Sequence, residues 1–142
     1  MRGTPDSRAA AAGLLLCWWL SGCAIAPTAA DCVAPAVRMA RVELLFGATW
    51  ADGNAIDVQQ WDGFLAAEVT PRFPAGLTEL SGRGQWRRPD GAVAKIPTRV
   101  LLIWYAPSRE ATASIEAVRD AYKAQFKQLS VMRVTGADCV AF

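Results

Sequence analysis

The 142-residue chain contains no histidine. That absence removes the Ser-His-Asp triad, the Cys-His pair and every His-ligated metal site, because each needs an imidazole as base or ligand. Charge is scarce as well: 15 Lys and Arg stand against 13 Asp and Glu, a formal net of +2. A nucleic-acid surface needs a basic patch or stripe. The nearest approach, Arg83, Arg87 and Arg88, gathers at one predicted hairpin tip and reads as a solvated loop, so no nucleic-acid partner is expected. A glycine-rich phosphate loop is also lacking. Ser81-Gly82-Arg83-Gly84 precedes a strand and has no following lysine, which suits a bulge or kink in that strand. Among the carboxylates, no spacing singles out a catalytic pair from Glu43, Glu68 and Glu79. No pattern calls for a metal or a cofactor.

What is present begins with an address. Arg2 and Arg8 precede Ala9–Leu20, 12 uncharged and largely apolar residues, and then Leu20-Ser21-Gly22-Cys23. This is a secretory signal layout, and its apolar run falls short of the roughly 20 residues a spanning helix needs. Leu-Ser-Gly-Cys resembles the bacterial lipobox, which implies cleavage before Cys23 and a lipid on that cysteine. The expected organisation is a signal peptide at 1–22, a lipid-anchor residue and tether at 23–38, and one domain at 39–142. The membrane is then a partner through the anchor, and the domain faces the periplasm. Cleavage near Ala30, after Thr28-Ala29-Ala30, is the alternative and gives a soluble periplasmic or secreted protein.

Removing 1–22 takes Cys17 with it and leaves 13 basic and 12 acidic residues, a balance that favours no particular partner. With Cys23 lipidated or lost, Cys32 and Cys139 remain as a pair in an oxidising compartment, and a disulfide is the natural inference.

Along the domain, Arg41–Trp50 alternates as a strand. Asp57 with Gln60 three residues on makes a capping-box start for a helix whose apolar face is Val58, Trp61, Leu65 and Val69. Pro71 should end that helix at Thr70, and Gly76 permits a turn before a second strand, Leu77–Trp86. Between the two prolines of Thr70-Pro71-Arg72-Phe73-Pro74, Phe73 is expected in the core, with Arg72 aimed at a carboxylate or a carbonyl. Arg88-Pro89-Asp90-Gly91 closes a hairpin. Pro97 splits the return strand and implies an edge or bulge there. Val100–Tyr105 is apolar on both faces, as in a central strand. Ser108 caps a second helix with Ala111, Ile115, Val118, Tyr122, Phe126 and Leu129 on one face, and Ser130–Phe142 supplies the last strand.

The order β-α-β-β-α-β is the ferredoxin-like pattern: an α+β fold with a four-stranded antiparallel sheet and two helices on one face. Its first and last strands are antiparallel neighbours, which brings the positions of Cys32 and Cys139 together. Residues 42–47 (VELLFG), 69–80 (VTPRFPAGLTEL), 84–91 (GQW with the PDG turn) and 122–131 (YKAQFKQLSV) resemble an uncharacterised family of small exported bacterial proteins, classed as a domain of unknown function. That resemblance implies no catalytic residue, substrate or cofactor. It leads one to expect a longer acidic or polar segment near Pro97, where this chain has AVAKIPTR.

The remaining candidates are polar and aromatic: Arg72, Glu79, Tyr105, Tyr122 and Gln128, with Trp86, Trp104 and Ser130. Two helices cover one sheet face only, yet Leu45, Leu101, Ile103 and Tyr105 are expected to oppose Val42, Leu44, Phe46, Val100, Leu102 and Trp104. Something must cover the second face, and a homodimer is one solution, a small apolar ligand or an envelope protein the others. The preferred reading is a non-catalytic envelope lipoprotein that binds a partner or small ligand. The alternative is a cofactor-independent enzyme of the small dimeric α+β barrel kind, using Arg72 with Tyr105 or Tyr122.

Overall fold

A computed structural model describes residues 32–50 and 52–142. The leader, Cys23 and the alternative cleavage point near Ala30 lie outside the described residues. Four strands and two helices follow one another: β1 (Val37–Gly47), α1 (Val58–Phe64), β2 (Thr78–Arg87), β3 (Val93–Tyr105), α2 (Arg109–Phe126) and β4 (Met132–Val140). The strands form one sheet in the order β2-β3-β1-β4, every neighbouring pair antiparallel. This is the ferredoxin-like arrangement. Among the described residues no helix is long and apolar enough to cross a membrane.

Pairing Val37 with Val140 and Arg38 with Cys139 brings the two cysteines to the same end of the sheet, and a Cys32–Cys139 disulfide closes it. The cross-link, an oxidising-compartment feature, agrees with an exported environment. β1 starts at Val37, inside the stretch read as tether, and stops at Gly47 rather than Trp50.

The core lies between the sheet and the helices. Val42, Leu44 and Phe46 of β1 pair with Ile103, Leu101 and Arg99 of β3 and so share a face, against which Trp61, Phe64, Ile115, Val118, Tyr122 and Phe126 pack. Phe46 stands at the middle, with edge-on ring contacts to Trp61 (5.3 Å), Phe64 (6.1 Å) and Tyr122 (4.6 Å). The second face carries Arg41, Glu43 and Leu45 beside Trp104, Leu102 and Val100. The expected grouping was therefore wrong: Leu101, Ile103 and Tyr105 belong with Val42, Leu44 and Phe46. Facing is set by cross-strand register, which one strand's alternation does not contain. The second face is apolar along β3, at Val100, Leu102 and Trp104, while β1 adds only Leu45 beside the charged Arg41 and Glu43.

Asp57 and Gln60 form the capping box, with Gln60 N–H donating to Asp57 at 2.8 Å and Asp57 N–H to Gln60 at 3.1 Å. The expected face fails at its start, since Val58 is exposed while Phe64 is buried. Beyond Phe64 the chain makes one π-helical turn, Leu65–Val69, in which Thr70 N–H bonds the Leu65 carbonyl. The extra residue in that turn brings Val69 into the core. After Pro71, Phe73 is buried against Tyr105, and Gly76 takes φ +117° before β2.

Two strand expectations are corrected. β2 pairs with β3 continuously from Thr78↔Leu102 to Arg87↔Val93, so Ser81–Gly84 holds no bulge. β3 is likewise unbroken through Pro97. The Pro97 carbonyl accepts from Ala48 N–H at 2.9 Å, so its nitrogen faces the β1 side just where that strand has ended, and the β2 ladder loses no donor. α2 has its Ser108 cap, but ends at Phe126 with Lys127 left-handed at φ 55°. Leu129 is consequently in solvent rather than on the apolar face.

Candidate functional site

Glycines thin one end of the uncovered face. Gly47 in β1 and Gly84 in β2 flank Thr98 and Ile96 of β3, and over them opens a cavity of about 640 Å³. Its apolar walls are Leu45, Trp50, Trp86, Ile96 and Met132; Gln128, Thr98, Ser130 and Lys127 supply the polar atoms. A Cβ on Gly84 would stand 3.0 Å from Thr98 Oγ1, and one on Gly47 3.1 Å from Ile96 Cδ1 and 3.3 Å from Gln128 Oε1. Glycine at both positions thus lets these side chains lie down along the strands.

The walls are fixed by bonds that reach across the chain. Gln128 donates through its carboxamide nitrogen to the carbonyls of Thr49 (2.6 Å) and Phe126 (3.2 Å), tying the loop after α2 to the loop after β1. Trp50 rests edge-on against Phe126, ring centres 5.3 Å apart. Arg119 donates from two nitrogens to the Val131 carbonyl, at 2.8 and 3.1 Å, and also pairs with Glu116, which holds Arg133 of β4 at 2.7 Å. The hydrogen bond from Arg133, reinforced by the Arg119 charge, holds the Glu116 carboxyl below its ordinary range.

The residues singled out from sequence fall in four places. Gln128, Ser130 and Trp86 meet at this cavity. Arg72 and Tyr105 line a second one, about 390 Å³, at the other end of β3, beside Phe73, Trp104 and Ser108. Arg72 there donates to the Glu68 carbonyl (2.5 Å) and carboxylate (2.9 Å), the kind of partners expected of it. Glu79 is on the helix-covered face, paired with Arg99 at 2.6 Å, and the Arg99 guanidinium lies 5.1 Å from the Trp61 ring centre. Tyr122 is in the core, its hydroxyl donating to the Gly47 carbonyl at 2.9 Å. Trp104, on the uncovered face, donates to Asp138 at 2.9 Å. Trp50, Gly47, Gly84, Ile96, Met132 and Lys127 were not singled out. Their shared signal is tertiary, because a glycine marks a floor only once its neighbours are known.

Burial pushes the Tyr122 phenol up to about 12, against a smaller downward pull from Arg99. An unfolded tyrosine ionises near 10, so the folded state holds this proton more tightly. Its stabilising contribution is complete below about pH 10 and disappears as pH rises through about 12. Tyr122→Phe is expected to cost about 1 kcal/mol at neutral pH through the lost bond to Gly47. It should also flatten part of the alkaline fall in Tm, measured by circular dichroism from about pH 9 to 12. Parallel Tm curves for the two proteins would contradict this.

The fold is that of a ferredoxin-like α+β domain, with a cavity at one end of the uncovered sheet face. Residues 41–142 match the family model described as a protein of unknown function (DUF3574), and the chain belongs to that family. No curated protein matches it. Among solved structures it is similar to a phage SAM lyase in complex with S-methyl-5′-thioadenosine: 14% identity, TM-score 0.56, covering 73% of this chain and 90% of the lyase. The lyase in its apo state gives 14% identity and a TM-score of 0.53, covering 74% and 90%. At this identity the likeness is one of fold.

Proposed function

We propose that this domain is an exported binding module, held in the cell envelope by a lipid on Cys23, that takes a small ligand at the end of its uncovered sheet face and catalyses no reaction. The observation that carries this reading is the cavity of about 640 Å³, with tryptophan, aliphatic and thioether side chains on walls that the Gln128 and Arg119 bonds hold in place. Concave, mostly apolar sites with a few fixed polar groups are the usual form of small-molecule pockets. The polar groups nearby suit positioning: Gln128 is an amide, Thr98 and Ser130 are hydroxyls, and Lys127 is a cation. Native mass spectrometry of the exported protein, purified from an oxidising compartment, tests the reading. The expected result is a chain two hydrogens lighter than its reduced mass that retains a small molecule, which Trp86→Ala releases. A ligand-free chain whose Tm is indifferent to a metabolite library, before and after Trp86→Ala, would count against it. Palmitate labelling abolished by Cys23→Ser tests the anchor separately.

The middle of the same face favours a second copy. Arg41 lies across Gly136, 3.4 Å from both Glu43 and Asp138, so the charges lie flat among Leu45, Val100, Leu102 and Trp104. Arg41 flanked by two acids is self-complementary about a two-fold axis. Light scattering at micromolar concentration should give a dimer that Leu102→Glu dissociates; a monomer for the unsubstituted protein would refute it.

A further inference from the structure

On the binding reading above, we propose that the cavity takes a planar aromatic ligand that carries an anionic group and a hydrogen-bond donor. The shape comes first. The strands present a low floor at Gly47 and Gly84, over which Ile96 and Thr98 lie close, and the indoles of Trp50 and Trp86 line the space above it. Aromatic rings bind other rings through stacked or edge-on contacts, which an extended aliphatic chain cannot reproduce.

The polar complement is equally specific. Both bonds that Gln128 donates go to backbone carbonyls, of Thr49 and Phe126, which leaves Oε1 as an acceptor with no protein partner among the described residues. A carbonyl oxygen in this position asks for a donor such as a ring N–H or an amine. Lys127 stands next to it with φ 55°, a conformation glycine normally occupies at a helix end, and lines the same cavity. Lys127 makes no ion pair among the described residues, as is also true of Arg38, Arg83, Arg87, Arg88, Lys95 and Arg109, but of these cations it is the one that lines this cavity. A lysine that accepts left-handed strain at a cavity rim is placed to meet an anion.

Two dyes of the same skeleton test this. 8-Anilinonaphthalene-1-sulfonate has the rings, the amine and an anionic group; N-phenyl-1-naphthylamine has the rings and the amine alone. Titrated into the oxidised, exported protein and followed by fluorescence, the sulfonate should saturate at one per chain and bind about tenfold more tightly than the neutral dye, the scale of one charge-assisted contact. Lys127→Gly should abolish that preference while raising Tm, since it removes the strained residue; Trp86→Ala should weaken both dyes. Equal affinities that Lys127→Gly leaves alone would overturn the anionic ligand and leave the binding role standing. No saturable binding of either dye, with Trp86→Ala silent, would overturn the cavity's role as well.

Discussion

Phe46→Ala is expected to lower the stability of the domain by about 3 to 5 kcal/mol, the usual range for truncating a fully buried phenylalanine. Phe46 has no solvent exposure and touches Trp61 and Phe64 of α1 and Tyr122 of α2. Removing it leaves a void bounded by rings attached to different elements, which cannot all close in together. It also loosens the end of β1, where Gly47 receives the Tyr122 hydroxyl and flanks the cavity. Small domains are stable by roughly 5 to 15 kcal/mol, so this one change consumes a large share. Urea unfolding followed by tryptophan fluorescence measures it. Phe46→Leu, which keeps most of the volume, should cost under about 1.5 kcal/mol. Equal losses for the two variants would mean that the ring contacts, rather than the filled volume, hold this core.

Replacing Cys32 and Cys139 together by serine is expected to cost roughly 2 to 5 kcal/mol and to lower Tm by roughly 10 to 30 °C. The cross-link spans 107 positions of sequence. In the chain-entropy view its effect lies in the unfolded state, which it deprives of its most extended conformations. The folded sheet loses little, because the β1–β4 ladder already holds Arg38 opposite Cys139. The double substitution avoids a stray thiol. Scanning calorimetry of the variant, and of the unsubstituted protein with and without reductant, decides the matter: identical Tm values would show that the staple adds nothing.

Features that depend on neighbours in sequence were legible. The Asp57–Gln60 box, the Ser108 cap and the turn at Gly76 each rest on a few adjacent residues. The Cys32–Cys139 pair was legible for a different reason: the cysteine count of an exported chain leaves these two, and the order of elements puts the first and last strands side by side. What escaped required knowing register. Tyr105, Leu101 and Ile103 were placed on the wrong face because nothing within β3 says which residue of β1 stands opposite. The π-helical turn at Leu65–Val69 hid Phe64, since a 3.6-residue period assumes no inserted residue. The candidate site was half visible. Gln128, Ser130 and Trp86 drew attention as polar or aromatic residues near element ends. Gly47 and Gly84 could not, because their part is to be absent between Ile96, Thr98 and Gln128.

The disulfide and the cavity also mark the two ends of β1 as unlike poles. At one pole the chain enters at Cys32 and is riveted to Cys139, three residues from the C-terminus at Phe142. The mouth beside Gly47 lies at the far end of β1, roughly 30 Å away at a strand's rise per residue. The cross-link and the mouth therefore stand at opposite ends of one strand, with the whole length of β1 between them.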